Sequence, residues 1–238
     1  MIERTARSES LDILVFGAHA DDAEIGMGGT IAKHALAGQR VGVCDLTRAE
    51  MSSNGTVELR QQEAANASTV LGLSARTNLG LPDRGLGGTK EQIERIVAEI
   101  RYFRPRIVFA PYWVDRHPDH VNCSRLIEEA VFNSKLRRYM PGLPPVQVEQ
   151  LIYYYINDVE QVSLVVDVSE HYDLKRQSLL AYRSQFMKAT AGEDRVSTPL
   201  TNRYVERVEA RDSLLGQARG WAYAEGFAIK RPHAVTLF

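Results

Sequence analysis

The first half of the chain alternates short continuous apolar runs with segments of helical period, and this alternation constrains the fold more than any other feature. LDILVFGAH (11–19), RVGVCDLT (40–47), TNLGLP (77–82) and RIVFAPY (106–112) read as strands. Between them lie helical patterns. One runs roughly from Gly28 to Ala37 and stops at Gly38; another, VELRQQEAANASTVLG, ends at Gly72. In the third, Ile93, Ile96, Val97, Ile100 and Phe103 fall on one helix face. A strand that is apolar throughout is buried on both faces, and helices between such strands supply the crossovers that parallel pairing needs. The expectation is therefore an α/β fold whose mostly parallel sheet is covered by helices on both faces.

The second half is less regular. LIYYYIN (151–157) and SLVVDV (163–168) read as strands close enough to pair, and helices are expected over about 170–184 and 202–218. The polar, small-residue stretch KATAGEDRVSTP between those helices reads as a loop. With no linker, repeat or low-complexity segment, residues 1–238 read as a single domain, and the polar start MIERTARSES as a frayed extension.

Several function classes fall away on composition. The formal net charge is -1 and no basic tract stands out, so neither nucleic acid nor a membrane surface is an expected partner. No apolar run approaches the roughly 20 residues of a membrane span. The two cysteines, Cys44 in an apolar run and Cys123 on an expected helix, make no disulfide framework and fit a reducing cytoplasm.

Parallel sheets place their sites at the carboxyl ends of the strands. Two polar clusters stand there: His19-Ala20-Asp21-Asp22 after the first strand, and DRHPDH (115–120) after the fourth. Each alone has an ordinary reading, since a DD pair can cap a helix and a histidine at a strand end is commonly a hydrogen-bonded structural residue. Together they offer a His-Asp-His set suited to a metal, with a spare carboxylate to take a proton and a spare histidine for a substrate. His117 and His120 are three apart, and a helix starting at Pro118 lets them project to one side.

GAHADDAEIGMGG (17–29) resembles the zinc-binding motif of the LmbE-like, or PIG-L, de-N-acetylases, AHPDDxExGxGG, and HPDH (117–120) resembles their second motif. TRAEMSSNGTVELRQQEA (47–64) is similar to their stretch between second strand and helix, and YAEGF (223–227) to their C-terminal segment. The resemblance implies a Rossmann-like sandwich, one Zn2+ held by His19, Asp22 and His120 (ferrous iron being a competitor), Asp21 as general base and His117 as second catalytic group. Asp119 is the expected carboxylate behind His117. Ala20 stands where the family has proline, which leaves the turn less restricted without removing a chemical group. The run GMGG lacks GxGxxG spacing, so helix–sheet packing is expected of it rather than a nucleotide loop.

SSNGTVELR and LPDRGL look closest to the branch that deacetylates N-acetylglucosaminyl-malate in bacillithiol synthesis. A small-molecule amino sugar is then the expected partner, with Arg60 and Arg116 to grip malate and Glu50 and Asn54 to shape the pocket. Similar proteins imply a homo-oligomer. Mycothiol-type and chito-oligosaccharide amino sugars are the rival substrates, and a non-catalytic sugar- or nucleotide-binding module is the rival of another class.

Overall fold

The computed structural model describes residues 10–188 and 194–232. All but the last residue of the expected N-terminal extension, and residues 189–193 of the expected loop, lie outside the described residues. Five strands run parallel: β1 (Ile13–Gly17), β2 (Val41–Thr47), β3 (Ala75–Leu81), β4 (Ile107–Pro111) and β5 (Gln150–Tyr154). With β6 (Leu164–Asp167) and β7 (Ala224–Ala228) they form one sheet in the order β3-β2-β1-β4-β5-β7-β6. The helices are α1 (Asp22–Leu36), α2 (Val57–Leu71), α3 (Lys90–Phe103), α4 (Pro118–Ser134), α5 (Tyr172–Ala181), α6 (Arg183–Phe186) and α7 (Tyr204–Gln217). This is the expected α/β architecture.

The two-sided burial of the strands is visible in β1. Leu14 and Phe16 enter a core with Ile96, Ile100 and Ile127 of α3 and α4. Ile13 and Val15 enter the opposite one with Ile25, Ile31 and Leu179 of α1 and α5. Local signals set the helix ends. Thr89 and Gln92 form a capping box at the start of α3, and Gly72, at φ 68, closes α2.

Two expectations are corrected. β5 and β6 do not pair, because β7 lies between them, antiparallel to both. Its sequence, AEGFA, has neither apolar alternation nor β-branched residues, so it carries no strand signal. The first helix starts at Asp22 rather than near Gly28, and breaks at Met27 (φ -151). The break exposes a fresh set of backbone N–H groups, and Glu225 of β7 satisfies them, accepting from Gly29 N at 2.9 Å and Thr30 N at 2.6 Å. Lys175, fully buried, pairs with this carboxylate at 2.6 Å and with that of Asp212 at 2.7 Å, which Arg211 also meets at 2.8 Å.

The glycines of α1 allow close approach to the sheet. A Cβ on Gly26 would lie 2.1 Å from the ring of Tyr154, and one on Gly29 2.8 Å from Val168. The packing expected of GMGG is therefore present. β1 has β2 on one side and β4 on the other, so the chain leaves their carboxyl ends in diverging directions and opens a crevice there. No helix among the described residues is long and apolar enough to cross a membrane.

Candidate functional site

At the end of β1 the chain turns through His19, Ala20 and Asp21 into α1. Asp21 adopts φ 116, ψ -22, a left-handed conformation that is uncommon for a residue with a side chain. Such a conformation persists only where its surroundings over-determine it. Arg60, reaching across from α2, supplies that constraint: Nε donates to Ala20 O and Nη2 to Asp21 Oδ2, each at 2.9 Å. Both side chains are buried.

Asp22, at the start of α1, spans two imidazoles. Its Oδ2 accepts from His19 N at 2.9 Å and lies 3.7 Å from His19 Nδ1. Its Oδ1 lies 3.2 Å from His120 Nε2. His19, His117 and His120 offer ring nitrogens within 4.8 Å of one another, and His19, Asp83 and Asp119 form a second group of donors equally close. Two imidazoles converging on a shared carboxylate in a buried cleft are a donor set that suits a divalent cation, so the residues present fit the implied metal.

His117 caps α4, its Nδ1 accepting from Asp119 N at 3.2 Å. An accepting Nδ1 carries a lone pair, so the ring proton sits on Nε2. Burial, reinforced by the neighbouring His120 and His19, holds His117 below the usual histidine range. The ring is thus a neutral donor through Nε2–H.

The two adjacent aspartates are driven apart. Burial pushes Asp21 up to about 7 against the pull of Arg60, and the charge of Asp22 adds to the rise. Asp22 bears the same cost of burial, but His120 and His19 hold it well below the usual carboxylate range. Neighbouring carboxyls in such different environments divide acid–base work between them.

A cavity of about 340 Å³ opens over this cluster, lined among others by His19, Asp21, Asp22, His117 and His120. Arg60 and Arg116 line it as well. Arg116 is exposed and also lines an adjoining lobe of about 200 Å³ with Asn157, Tyr204 and Arg207.

Other expected residues are placed differently. Arg60 has its charge committed to Asp21, and only Nη1 is without a protein partner among the described residues. Asp119 does not hold His117 through its carboxylate. That group accepts from Arg84 N at 2.7 Å and Arg84 Nη1 at 3.1 Å, and lies 3.6 Å from His19 Nε2. Glu50 is exposed and accepts from Asp83 N at 2.8 Å. Asn54 is a buried strut: its amide pairs with both backbone groups of Val196, at 3.0 and 2.8 Å. Two carboxylates beside the histidines, Asp83 and Asp115, have no role in the sequence-based expectations. Each stands inside a motif singled out above, LPDRGL and DRHPDH, but only tertiary contact shows what it touches.

A family model described as GlcNAc-PI de-N-acetylase, PIG-L, matches residues 14–131. A diacetylchitobiose deacetylase of Thermococcus kodakarensis is 30% identical over 189 residues, covering 73% of this chain and 70% of that protein. A 1D-myo-inositol 2-acetamido-2-deoxy-alpha-D-glucopyranoside deacetylase of Saccharomonospora viridis is 27% identical over 235 residues, covering 76% of this chain and 87% of that protein. Among solved structures, a conserved protein of Thermus thermophilus superposes with a TM-score of 0.86 at 41% identity, covering 95% of this chain and 97% of the other. With its two motifs folded into one cleft and relatives of this kind along most of its length, the chain belongs to the PIG-L, or LmbE-like, de-N-acetylase family.

Proposed function

We propose that the chain is a zinc-dependent hydrolase that removes the acetyl group from an N-acetylglucosaminide, with N-acetylglucosaminyl-malate as its best substrate. The observation that carries this reading is the pair of unlike groups facing the cleft beside the metal-binding cluster: the buried carboxylate of Asp21 and the neutral His117 donor. His19, Asp22 and His120 would hold the metal, and zinc there would supply Lewis acidity to the attacking water and the amide carbonyl.

Asp21 takes a proton from the water as its oxygen adds to the carbonyl carbon. Its raised affinity for a proton, near 7, suits a group that must hold that proton and then release it. His117 Nε2–H donates to the carbonyl oxygen as negative charge develops there. When the C–N bond breaks, Asp21 returns the proton to the leaving nitrogen. The products are acetate and a free amino sugar.

The malate assignment is supported by Arg116, exposed at the junction of cavity and lobe, with Arg207 in the same lobe. Guanidinium groups suit a carboxylate-bearing aglycone. The two curated relatives favour a second reading, a chitobiose- or mycothiol-type substrate. Buried thiols at Cys44 and Cys123 fit a cytoplasmic setting, and we expect a homo-oligomer. The test is amine release from N-acetylglucosaminyl-malate, diacetylchitobiose, N-acetylglucosaminyl-inositol and N-acetylglucosamine. The highest kcat/KM is expected for the malate compound. A preference for another member replaces the substrate, and no release from any of them removes the hydrolase reading.

A further inference from the structure

Each of the two imidazoles that face Asp22 has a second carboxylate on its far nitrogen. Asp115 Oδ1 lies 2.9 Å from His120 Nδ1, while His120 Nε2 faces Asp22 at 3.2 Å. Asp83 Oδ1 lies 3.1 Å from His19 Nε2, while His19 Nδ1 faces Asp22 at 3.7 Å. The carboxylates are themselves buried, with side chains 4% and 5% exposed.

We propose that Asp115 and Asp83 are the positioning residues of the metal centre, each fixing one imidazole through its far nitrogen. The role rests on the metal-dependent reading given above. An ionised carboxylate only accepts hydrogen bonds, so the nitrogen facing it must carry the proton. When a cation binds between the rings and Asp22, each neutral imidazole keeps that proton and offers the cation the lone pair of its other nitrogen, the one turned to Asp22. A cation needs that lone pair, and a carboxylate behind the ring raises its basicity and fixes the ring's orientation.

The same two carboxylates tie the imidazoles to different parts of the cavity lining. Asp115 also accepts from His117 N at 2.7 Å and from Asn157 Nδ2 at 2.9 Å, and Asn157 Oδ1 accepts from Tyr204 OH at 3.0 Å. Asp83 Oδ2 accepts from Met51 N at 3.0 Å, on the loop between β2 and α2. Asp115 thus joins His120 to the wall formed by Asn157 and Tyr204, and Asp83 joins His19 to the wall formed by the Met51 loop.

The test uses the full-length zinc-loaded protein, with zinc withdrawn by a chromophoric chelator, for wild type, Asp115→Asn and Asp83→Asn. Asparagine keeps the size and one acceptor oxygen but lacks the charge, so the fold should hold while the imidazole becomes a poorer ligand. Zinc affinity is expected to fall about 10- to 100-fold in each variant. The visible spectrum of the cobalt-substituted protein should change, and the thermal midpoint of the metal-free protein should stay near wild type. Asp83 sits on a loop, so its variant carries the test if Asp115→Asn does not fold. Wild-type affinity and an unchanged cobalt spectrum in a folded variant would overturn that residue's role. A wild type that binds no zinc would sink the metal reading, and the positioning roles with it.

Discussion

Arg60 grips Asp21 from two directions, donating to its carboxylate through Nη2 and to the preceding carbonyl of Ala20 through Nε, both at 2.9 Å. One side chain on α2 therefore holds both the charge and the left-handed backbone of the proposed general base. The sequence points to Arg60 as a grip for the substrate's carboxylates; its position makes it first a support for Asp21. This changes what its removal should do.

Arg60→Ala is expected to lower kcat/KM for N-acetylglucosaminyl-malate and for plain N-acetylglucosamine in the same proportion, because both reactions need Asp21 in place. Removing one partner of a buried ion pair typically costs about 3–5 kcal/mol. Asp21 can relieve part of this by taking up a proton, so the loss should lie at or below that range. Chemical denaturation and parallel kinetics on the two substrates check both halves. A loss confined to the malate compound would show that Arg60 acts on substrate instead.

Asp21→Asn should retain its metal and lose about 100- to 10,000-fold in kcat, the usual range for loss of a general base. The amide is close in size to the carboxylate and can still accept from Arg60, so the turn should persist, but it cannot take the water's proton. Metal content and turnover measured on one preparation separate the effects. A near-normal kcat would place the base elsewhere.

The sheet was legible in sequence where a strand is buried on both faces by apolar side chains, as in β1, β2 and β4. β7 was not, because Glu225 and Gly226 stand in its middle, and the burial of Glu225 depends on Lys175 from α5 and on the broken helix α1. The site shows the same division. Both clusters could be placed at carboxyl ends because a short motif fixes its own turn. The partners of Asp83, Asp115 and Asn54 depend on which loops the fold brings together, and Asn54 meets Val196, 142 residues away.

His120→Ala should lose most of the bound metal. His120 Nε2 faces Asp22, and Asp115 holds its other nitrogen, so the substitution removes one of the three proposed ligands. Elemental analysis of the purified variant measures this directly. Full occupancy would take His120 out of the metal set and leave His117 as the candidate in its place.

Lys175→Met should be strongly destabilising. Lys175 is fully buried, 2.7 Å from Asp212 and 2.6 Å from Glu225; methionine of similar length would remove the cation from Glu225 and leave Asp212 with Arg211 alone, at 2.8 Å. The expected cost is about 3–5 kcal/mol, read from urea unfolding. Glu225 caps the second segment of α1, so the loss should extend to the helix that carries Asp22. A change under about 1 kcal/mol would mean that the two acids are satisfied without the lysine.

Arg116→Ala gives the sharpest test of the substrate. Arg116 is exposed where the catalytic cavity meets the lobe containing Arg207, and neither arginine is needed to hold Asp21. A charge-assisted hydrogen bond to a substrate carboxylate is worth about 1.5–3 kcal/mol, or about one to two decades in kcat/KM. That energy is remote from the scissile amide, so it acts by positioning the amide against the water. The malate compound should therefore lose about 10- to 100-fold in Arg116→Ala, while plain N-acetylglucosamine, with no carboxylate to lose, should stay near wild type. Arg207→Ala should act in the same direction. Equal losses on both substrates, or none on either, would detach the malate assignment from the lobe and leave only the general deacetylase reading.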